Sequence, residues 1–543
     1  MSDPDYVIIG AGSAGCVLAD RLTEDGITRV TLLEAGPRGR NPLLRVPLMT
    51  GPLLRGRAYN WALRGEPERE ANGRRLDQPR GKVLGGSSAI NGMVYTRGFA
   101  LDYDSWAQRG LPGWSYADVL PYFRLEEHFE EGGNAFHSEG GRVRVSRPTP
   151  DNPLFDAWCE AGAQAGLKAC HDFNGADPEG VGFFHFTISG GRRVGSVDAY
   201  LRRAEKRPNL SVLTGAVASH LIFDGARCTG VALADGRAFR ARREVILSAG
   251  SFHSPWLLLR SGIGPAEELA RQGIPVHRVL AGVGRELQDH QMARVLVACT
   301  QPVTLFRLRR IDRAAAALMQ ALLFGTGPAS RFPLLGGGFL KTRPGLEWPD
   351  IQCHFLPGLT TASIRWNPFA QAGPLDRHGF FANAYVLRPY SRGHVGLSGP
   401  TTMDPPRIET GLFTDRRDLD TLREAIKLIR RIFAQPAFDQ YRGMELAPGS
   451  DATTDDEIDS YLRETTGTAY HPVGTCRMGT APTAGDVVDG RLRVFGVPGL
   501  RVVDASVMPA LTSGNTHAPT MMIAEKASAL IREDARFPAA ACT

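Results

Sequence analysis

The feature that most constrains the fold is a glycine-rich turn between a short apolar strand and a helix near the N-terminus. The strand at residues 6–9 (YVII) is followed by residues 10–15 (GAGSAG), an apolar helix through Leu22, and a second strand ending at Glu34. Such glycines permit a tight turn, close backbone approach to a pyrophosphate, and close packing of helix on strand. A carboxylate about twenty residues further on can bond a ribose. The pattern predicts a βαβ unit that binds a dinucleotide, either NAD or FAD.

Strands that could complete this nucleotide-binding domain lie far along the chain. Residues 244–250 (EVILSAG) and 500–504 (LRVVD) both read as buried strands that end at small residues. The intervening stretch 302–448 has a different sequence pattern, with strand-like segments at 351–355 and 393–397 and an amphipathic helix at 418–433. At 543 residues the chain exceeds the size at which one hydrophobic core stops growing. We therefore predict an α/β fold with a discontinuous nucleotide domain and a second lobe.

Composition and charge exclude several other classes of protein. The net charge of +6 comes from 63 basic and 57 acidic residues spread along the chain, so nucleic-acid binding gains no support. No leader-like segment precedes the first strand, and no pair of cysteines has CxxC spacing, which favours free thiols and a cytoplasmic location. Nothing in the pattern indicates an oligomeric state. The cysteines are Cys16, Cys159, Cys170, Cys228, Cys299, Cys353, Cys476 and Cys542.

The apolar run 314–324 is too short to span a bilayer, which needs about 20 residues. Four arginines precede it, at positions 307, 309, 310 and 313. Three interpretations stay open at this point: a buried helix, which we favour, a cover over a pocket, or a helix lying on a membrane surface. The last would make the protein peripheral on the inner membrane.

Two long segments resemble the signature sequences of the glucose-methanol-choline (GMC) oxidoreductases. Residues 81–95 (GKVLGGSSAINGMVY) are similar to the loop that runs under the flavin in that family, and residues 250–264 (GSFHSPWLLLRSGIG) are similar to its second signature. The likeness continues through 284–290 and 391–393 to about Ile531, and is strongest to the bacterial alcohol and choline dehydrogenase branch. It implies FAD as cofactor, and a Rossmann-like FAD domain joined to a substrate domain with an antiparallel sheet above the flavin.

The resemblance also implies boundaries and contacts. Residues 1–296 are expected to be mostly FAD-binding, residues 297–459 mostly substrate domain, and residues 460–535 a return to the FAD domain. FAD should be held without a covalent bond, because Ile90 stands where some choline-oxidising relatives carry a flavin-linked histidine. The expected cofactor-binding residues are Gly10, Gly12, Ser13, Ala14, Gly15, Glu34, Ala35, Val83, Gly86, Ser87, Asn91, Gly92, Met93, Val94, Val217, Ala249, Gly250, Asp504, Ala505 and Thr516.

Two segments near the C-terminus resemble the family's catalytic blocks. Residues 470–479 (YHPVGTCRMG) make His471 the candidate base, since a neutral imidazole can take a hydroxyl proton near physiological pH. Residues 504–520 put the second catalytic role on Asn515, whose amide can hydrogen-bond the substrate oxygen. His517 replaces an asparagine common in related dehydrogenases, so it could tune the flavin potential or only repeat a hydrogen bond. We place His517 and Tyr470 in the substrate pocket.

Other catalytic classes find no support in the pattern. Asp289-His290 and Cys353-His354 lack partners at ligand spacing, so we predict no metal site, and no G-x-S-x-G elbow follows a strand. The implied reaction is oxidation of an alcohol, with its hydride passed to flavin N5. Oxygen, a quinone or another carrier could reoxidise the flavin, and the branch resembled favours a dehydrogenase. A cyanohydrin lyase with structural FAD is the main alternative, since fold does not fix function.

The substrate pocket offers one further sequence clue. Choline-oxidising relatives place a glutamate ahead of a glycine–phenylalanine stretch, and residues 332–339 (FPLLGGGF) put Leu335 in its place. A cation beside leucine would lose its hydration at a cost of several kcal/mol, although aromatic rings could compensate in part. A hydrocarbon chain gains about 0.8 kcal/mol per buried CH₂. We therefore expect a neutral primary alcohol, aliphatic or aryl, with choline as the alternative.

Overall fold

The computed structural model describes residues 3–359 and 376–536. Within them the chain forms the following strands: β1 (Tyr6–Ile9), β2 (Val30–Glu34), β3 (Leu63–Glu68), β4 (Arg74–Gln78), β5 (Val94–Tyr95), β6 (Glu127–Phe129), β7 (Val143–Val145), β8 (Ala169–Cys170), β9 (Gly180–Phe183), β10 (His185–Phe186), β11 (Ile188–Ser189), β12 (Arg192–Arg193), β13 (Leu210–Thr214), β14 (Ala218–Asp224), β15 (Arg227–Leu233), β16 (Ala238–Arg240), β17 (Glu244–Leu247), β18 (Ile263–Gly264), β19 (Arg278–Val279), β20 (Gln291–Cys299), β21 (Gly336–Leu340), β22 (Ile351–Leu356), β23 (Gly379–Val386), β24 (His394–Leu397), β25 (Pro406–Glu409), β26 (Arg442–Ala447), β27 (Gly467–Thr468) and β28 (Leu500–Val502).

The α-helices of the same described residues are α1 (Ser13–Leu22), α2 (Thr50–Arg55), α3 (Ala100–Gln108), α4 (Tyr116–Glu126), α5 (Pro153–Gln164), α6 (Arg202–Ala204), α7 (Gly250–Arg260), α8 (Ala266–Arg271), α9 (Ile311–Phe324), α10 (Arg416–Phe433), α11 (Asp455–Thr465) and α12 (His517–Arg536). None of them is long and apolar enough to cross a bilayer. Seven cysteines lie in the described residues and all are free, whereas Cys542 lies outside them.

The first layer of the fold is a parallel sheet in the order β13-β2-β1-β17-β28. β1 pairs with β2 and β17, and β17 pairs with β28, always in parallel. The central strands β1 and β2 are buried along their whole length, and β17 is buried after its first residue. A parallel sheet covered on both faces requires such burial. α1 packs against α12, which comes from the far end of the chain. The predicted discontinuity of this domain and the α/β class are therefore confirmed.

The second layer is a mixed, mainly antiparallel sheet in the order β26-β20-β23-β22-β21-β9-β8, with β27 also paired to β20. One face of it is covered by α5 and α10. α10 is capped by Asp415, whose side chain accepts a hydrogen bond from the Arg417 main-chain nitrogen at 3.0 Å. Trp158 of α5 stacks on Phe355 of β22 with ring centroids 5.1 Å apart. These contacts form the hydrophobic core of the second lobe.

The opposite face of this sheet, called here the site face, carries side chains in parallel rows because paired residues point to the same side. The site row is Phe339, Gln352, Tyr385 and Met292, and the second row is Gly337, His354, Asn383 and Arg294. The third row contains Leu356, Phe381 and Leu296, with Leu335 just before β21.

Two features differ from the expected organisation. The boundary expected at 296/297 falls inside β20, and β8 and β9 from the N-terminal region also join the second sheet, because strand pairing links segments distant in sequence. Residues 393–397 were expected in the second lobe. Instead β24 pairs with β25 alone among the described strands, and Val395 packs with Phe252 of α7 beside the parallel sheet.

Candidate active site

All strands of the parallel sheet end at the same edge, and the expected cofactor residues follow these ends. Gly10 comes after β1, Glu34 ends β2, Val217 lies beyond β13, Ala249 beyond β17 and Asp504 beyond β28. In open parallel sheets, ligands bind in the crevice outside the carboxyl ends of the strands. The structure thus brings together residues that are nearly five hundred positions apart.

The turn after β1 leaves no room for a side chain at Gly10. Gly10 has φ +100°, and a Cβ there would overlap the carbonyl oxygen of Ser248. A Cβ on Gly86 would lie 2.8 Å from the Cα of Gly12, because the 81–95 segment packs directly on the glycine turn. The two glycine segments therefore form one backbone-lined cradle beside the N-terminus of α1, where a pyrophosphate is well placed.

Glu34 is buried at the end of β2. Its two carboxylate oxygens accept hydrogen bonds from the main-chain nitrogens of Ala11 at 3.0 Å and Gly36 at 2.8 Å. Burial raises the pKa of Glu34 to about 7, although these hydrogen bonds oppose that rise. A carboxylate has about four lone-pair sites, so Glu34 can still accept a ribose hydroxyl.

The remaining expected cofactor residues lie around the same cradle. The carboxylate of Asp504 accepts from the Gly250 nitrogen at 2.8 Å and from the Ser254 hydroxyl at 2.6 Å, which fixes the start of α7. Asn91 Oδ1 accepts from Met93 N at 3.0 Å and from Arg193 Nη1 at 2.6 Å, which fixes the loop at 81–95. Ser13, Ala14 and Gly15 begin α1, and Thr516 immediately precedes α12. Ala35, Val83, Ser87, Gly92, Val94 and Ala505 occupy neighbouring positions on these segments.

His471 lies on a loop that follows β27 and is held by Asp289. The main-chain N–H of His471 donates to Asp289 Oδ1 at 2.8 Å, and the Thr468 hydroxyl donates to the other oxygen. Tyr470 has φ +66°, and its carbonyl accepts from Arg80 Nη2 at 2.9 Å. These bonds fix the loop in the conformation that turns the imidazole of His471 toward the site face.

A chain of hydrogen bonds determines which nitrogen of His471 is the base. His290 Nε2 lies 3.1 Å from the Leu387 carbonyl oxygen, which can only accept, so this nitrogen carries a proton. Burial lowers the pKa of His290 to about 3, which leaves its Nδ1 as an acceptor 2.9 Å from His471 Nδ1. His471 Nδ1 must then be protonated, and its Nε2 carries the free lone pair.

The protonation state of His471 also suits a base. Burial lowers the pKa of His471 well below its usual value, and the nearby His290, Arg80 and His354 act in the same direction. A histidine is uncharged above its pKa. His471 is therefore neutral at physiological pH and able to accept a proton.

Asn515 completes the pair. Its Nδ2 lies 3.1 Å from His471 Nε2, and its Oδ1 accepts from Gln352 Nε2 at 3.2 Å. The main-chain nitrogen of Asn515 donates to Thr96 Oγ1 at 3.0 Å, and a Cβ on the preceding Gly514 would come within 2.8 Å of that oxygen. Asn515 Nδ2 thus donates one N–H to His471 Nε2, the nitrogen that can act as base, and has a second N–H for a substrate oxygen.

The site face lies over this pair and contains buried polar atoms without partners. These are Gln352 Oε1, His354 Nδ1 and Asn383 Oδ1. Buried polar atoms are almost always hydrogen-bonded, so such a group marks where a ligand or water completes the bonding. The space between the sheet and the His471–Asn515 pair is consequently suited to a polar molecule.

The family follows from comparison with known proteins. The N-terminal GMC oxidoreductase family model matches residues 4–292, and the C-terminal one matches residues 389–524. The chain is a GMC oxidoreductase. The predicted family is confirmed, and with it an FAD-dependent oxidoreductase.

Full-length relatives agree with this assignment. This GMC oxidoreductase is 44% identical over 529 residues to the oxygen-dependent choline dehydrogenase of Brucella ovis, covering 97% of this chain and 95% of the relative. It is 44% identical over 544 residues to the protein of that name in Ectopseudomonas mendocina, covering 98% and 95%. Its structure resembles pyridoxine 4-oxidase from Mesorbium loti, with TM-score 0.87, 32% identity and coverage of 98% and 99%. These likenesses support FAD-dependent alcohol oxidation in general.

FAD fits the observed cradle of this GMC oxidoreductase. The glycine turn, the N-terminus of α1 and Glu34 would hold the pyrophosphate and ribose, and the loop around Asn91 would lie beneath the ring. Ile90 is buried and packs with Leu44 and Val83. An alkyl side chain in that place can form no link to the flavin.

FAD is therefore expected to leave the protein on acid precipitation. The yellow flavin should appear in the supernatant, because only non-covalent contacts retain it. The measurement is the absorbance near 450 nm of the supernatant and of the washed, redissolved pellet. Flavin that stays in the pellet would contradict the prediction.

The three residues expected to line the substrate pocket lie in three different environments. Tyr470 is 37% exposed beside the catalytic loop. Leu335 is buried two rows from the site row, about 13 Å along the strand at about 6.7 Å per two residues, so it does not face the reaction centre. His517 contacts the Ser196 hydroxyl at 3.3 Å at the start of α12, and burial lowers its pKa to about 4. Its hydrogen bonding thus links it to Ser196 and not to the site face.

Sequence reasoning missed His290 as the partner of His471, and Gln352 as the partner of Asn515. Their pairs are separated by 181 and 163 residues. The available signals were weak: His290 ends the segment 284–290 that resembles the family, and Gln352 and His354 are polar residues at alternate positions of an otherwise apolar strand. Asp289 and His290, rejected as metal ligands, instead hold the loop and the base.

One described group has the geometry of metal ligands, which sequence reasoning did not identify. Ligand atoms of His137, Asp172 and His185 lie within 4.8 Å of one another. His137 contacts Asp172 at 3.0 Å through Nε2 and Glu127 at 2.9 Å through Nδ1. Burial by itself would lower the pKa of His137, but hydrogen bonds to Asp172 and Glu127 outweigh it, so the pKa is raised. An ion-pair network in which His137 is protonated accounts for the geometry.

Proposed function

We propose that this GMC oxidoreductase oxidises primary alcohols without a positive charge, aliphatic or aryl, to aldehydes. His471 Nε2 takes the hydroxyl proton, and an amide N–H of Asn515 donates to the substrate oxygen. FAD, when bound, accepts the hydride at N5. The observation that carries the proposal is the hydrogen-bond chain from Leu387 through His290, which leaves the His471 lone pair 3.1 Å from the Asn515 amide.

The two side chains act on different parts of the same bond cleavage. The proton of the hydroxyl moves to His471 as negative charge grows on the oxygen, and Asn515 stabilises that charge without competing for the proton. Gln352 holds the Asn515 amide in the orientation that puts nitrogen, not oxygen, toward the substrate. The lowered pKa of His471 keeps the imidazole uncharged before it takes the substrate proton.

The charge of the pocket disfavours a cationic substrate, although the names of the relatives favour choline. Within the described residues, the site row and the second row contain no aspartate or glutamate, and the second row contributes Arg294. A trimethylammonium group would lose hydration there without a carboxylate partner. Leu335 lies two rows away, so the surroundings without carboxylates that would meet a cation are those of Met292 and its row and not those of Leu335.

Choline and 3,3-dimethylbutan-1-ol form a matched test, since they differ mainly in replacing the charged nitrogen by carbon. We expect kcat/KM for the neutral alcohol to exceed that for choline at least tenfold, about 1.4 kcal/mol. Straight-chain alcohols and benzyl alcohol complete the series. If choline is the better substrate of the pair, the proposed specificity is wrong.

Anaerobic mixing separates oxidation from the lyase alternative. An alcohol that donates hydride bleaches the flavin absorbance, whereas cyanohydrin cleavage leaves it unchanged. Reoxidation is then followed with oxygen and with a soluble quinone as competing acceptors. We propose that either can serve, with oxygen tested first because the choline dehydrogenase relatives are named as oxygen-dependent.

The face of α9 turned to solvent supports contact with a membrane surface. Its exposed apolar residues include Met319 at 56%, Leu323 at 61% and Phe324 at 74%. Arg307 and Arg313 are exposed beside it. Apolar residues flanked by arginines suit the surface of an anionic bilayer, where a quinone would also be available. We propose a cytoplasmic protein that contacts the inner membrane through this helix.

Vesicle binding tests this contact. Co-sedimentation is expected with vesicles rich in phosphatidylglycerol and to be much weaker with phosphatidylcholine alone. Leu323→Ser with Phe324→Ser should abolish it, because the helix loses its exposed apolar surface. Met403→Ser, at a residue 88% exposed elsewhere, is the matched control and should bind normally. Equal binding by both variants, or none by the wild type, would contradict the proposal.

A further inference from the structure

Arg294 lies at the edge of the substrate space. It belongs to the second row of the site face, paired with Asn383 across the strands. Its guanidinium carbon lies 5.4 Å from the centre of the Phe381 ring, and Nη2 lies 3.9 Å from Met292 Sδ. Stacking on Phe381 and contact with Met292 direct the side chain along the site face while it stays exposed to solvent.

The charge of Arg294 reaches residues on both sides of the reaction centre. Burial raises the pKa of Tyr385 to about 12, and Arg294 is among the groups that oppose this rise. Burial likewise raises the pKa of Tyr470, and Arg294 is the foremost charge opposing it. Tyr385 neighbours Gln352 in the site row, and Tyr470 precedes His471. Arg294 is therefore close to the space that a substrate bound at His471 would occupy.

The guanidinium has no carboxylate partner in the described parts of the chain. Within residues 3–359 and 376–536, the guanidinium contacts Met292 and Phe381. The sequence of the remaining internal segment, 360–375, contains no aspartate or glutamate. Two other arginines near the site are engaged: Arg80 donates to Tyr470 O, and Arg388 donates to Ser513 Oγ. Arg294 thus keeps a planar fork of donors available for a carboxylate.

The spacing of the rows limits the ligand. Residues two apart on a strand are about 6.7 Å apart and neighbouring strands are about 4.8 Å apart, so Arg294 lies one row and two strands away from Gln352, which contacts Asn515. Between them lie the unpartnered atoms Gln352 Oε1 and Asn383 Oδ1. The Arg294 side chain, which extends along the site face toward Met292, covers part of this separation, and an aryl alcohol with a substituent opposite its hydroxymethyl group can span the rest.

We propose that Arg294 binds a carboxylate at the far end of the substrate, so that alcohols bearing a distal carboxylate are preferred over equally sized neutral ones. This deepens the proposed function and rests on it. The substrate class consists of carboxylated benzyl alcohols and hydroxy acids of similar length, with the negative charge remote from the carbon that is oxidised.

A matched pair of substrates tests the assignment. 4-(Hydroxymethyl)benzoate and 4-(hydroxymethyl)benzamide have nearly the same shape and differ in charge. In the wild type, kcat/KM should favour the benzoate at least tenfold. Arg294→Met should lower this benzoate-to-benzamide ratio at least fivefold, and Arg294→Lys should lower it less, because lysine keeps the charge but not the fork. Inhibition by 4-methylbenzoate should weaken in parallel.

Arg240→Met serves as the control for net charge. Arg240 is exposed on β16, away from the sheet that carries the site face, and its replacement should leave the ratio unchanged. A wild-type ratio at or below one, or a ratio that Arg294→Met lowers less than fivefold, overturns the assignment. The proposed function fails separately, if neither substrate nor benzyl alcohol reduces the flavin.

Discussion

Replacing His471 with alanine is expected to slow flavin reduction by an alcohol about 10²–10⁴-fold while FAD stays bound. The imidazole supplies the Nε2 lone pair, which the hydrogen-bond chain through His290 leaves unprotonated beside Asn515. Stopped-flow absorbance under anaerobic conditions measures the rate. The residual rate should increase with pH, because hydroxide then replaces the missing base.

Two comparisons make this result specific. His220→Ala, at an exposed histidine of β14, should keep the wild-type rate. Wild-type kcat/KM should also stay level from about pH 8 down to about 6.5, because the pKa of His471 lies well below its usual value and the base remains uncharged. A His471→Ala variant that reduces its flavin at nearly the wild-type rate would remove His471 from the mechanism.

Gly10→Ala is expected to give protein with little or no FAD. At φ +100° an alanine is strained, and its Cβ would overlap the carbonyl of Ser248, the residue that follows β17. Strain and overlap together should lower the free energy of unfolding by about 2–5 kcal/mol. The ratio of flavin to protein absorbance measures cofactor content, and denaturant titration measures stability.

Gly215→Ala is the matched control for backbone strain. Gly215 also has positive φ, at +70°, but no atom lies within 4 Å of the position of its Cβ. Its cost should be limited to about 1–2 kcal/mol, with FAD retained. If both variants lose FAD equally, strain alone explains the loss, and the close packing at Gly10 has no special role.

Local patterns predicted local structure well. The strand at 6–9 and the helix ending at Leu22 agree with β1 and α1, and the amphipathic pattern at 418–433 agrees with α10, which begins two residues earlier after Asp415. Periodicity and capping act within a few turns of chain, so the sequence of a segment contains most of the information.

Positions that depend on distant pairing were predicted less well. Residues 393–397 have a convincing strand pattern, yet the pattern does not specify that β24 pairs with β25 and not with the large sheet. Leu335 was placed by counting along one segment, whereas its distance from Asn515 depends on the register of β21 against β22. His471 and Asn515 were found through resemblance, and their 3.1 Å contact required the folded chain.

The interleaved order of the parallel sheet has a consequence for synthesis. β17 borders β1 on one side, but its other neighbour, β28, is translated about 250 residues later. At a synthesis rate of roughly 5–20 residues per second, one edge of β17 stays unpaired for roughly 12–50 seconds before β28 is made. An open edge is a template for pairing with other chains, so aggregation is most probable in that interval. Nascent chains stopped before residue 500 should accordingly depend on chaperones far more than the finished protein does.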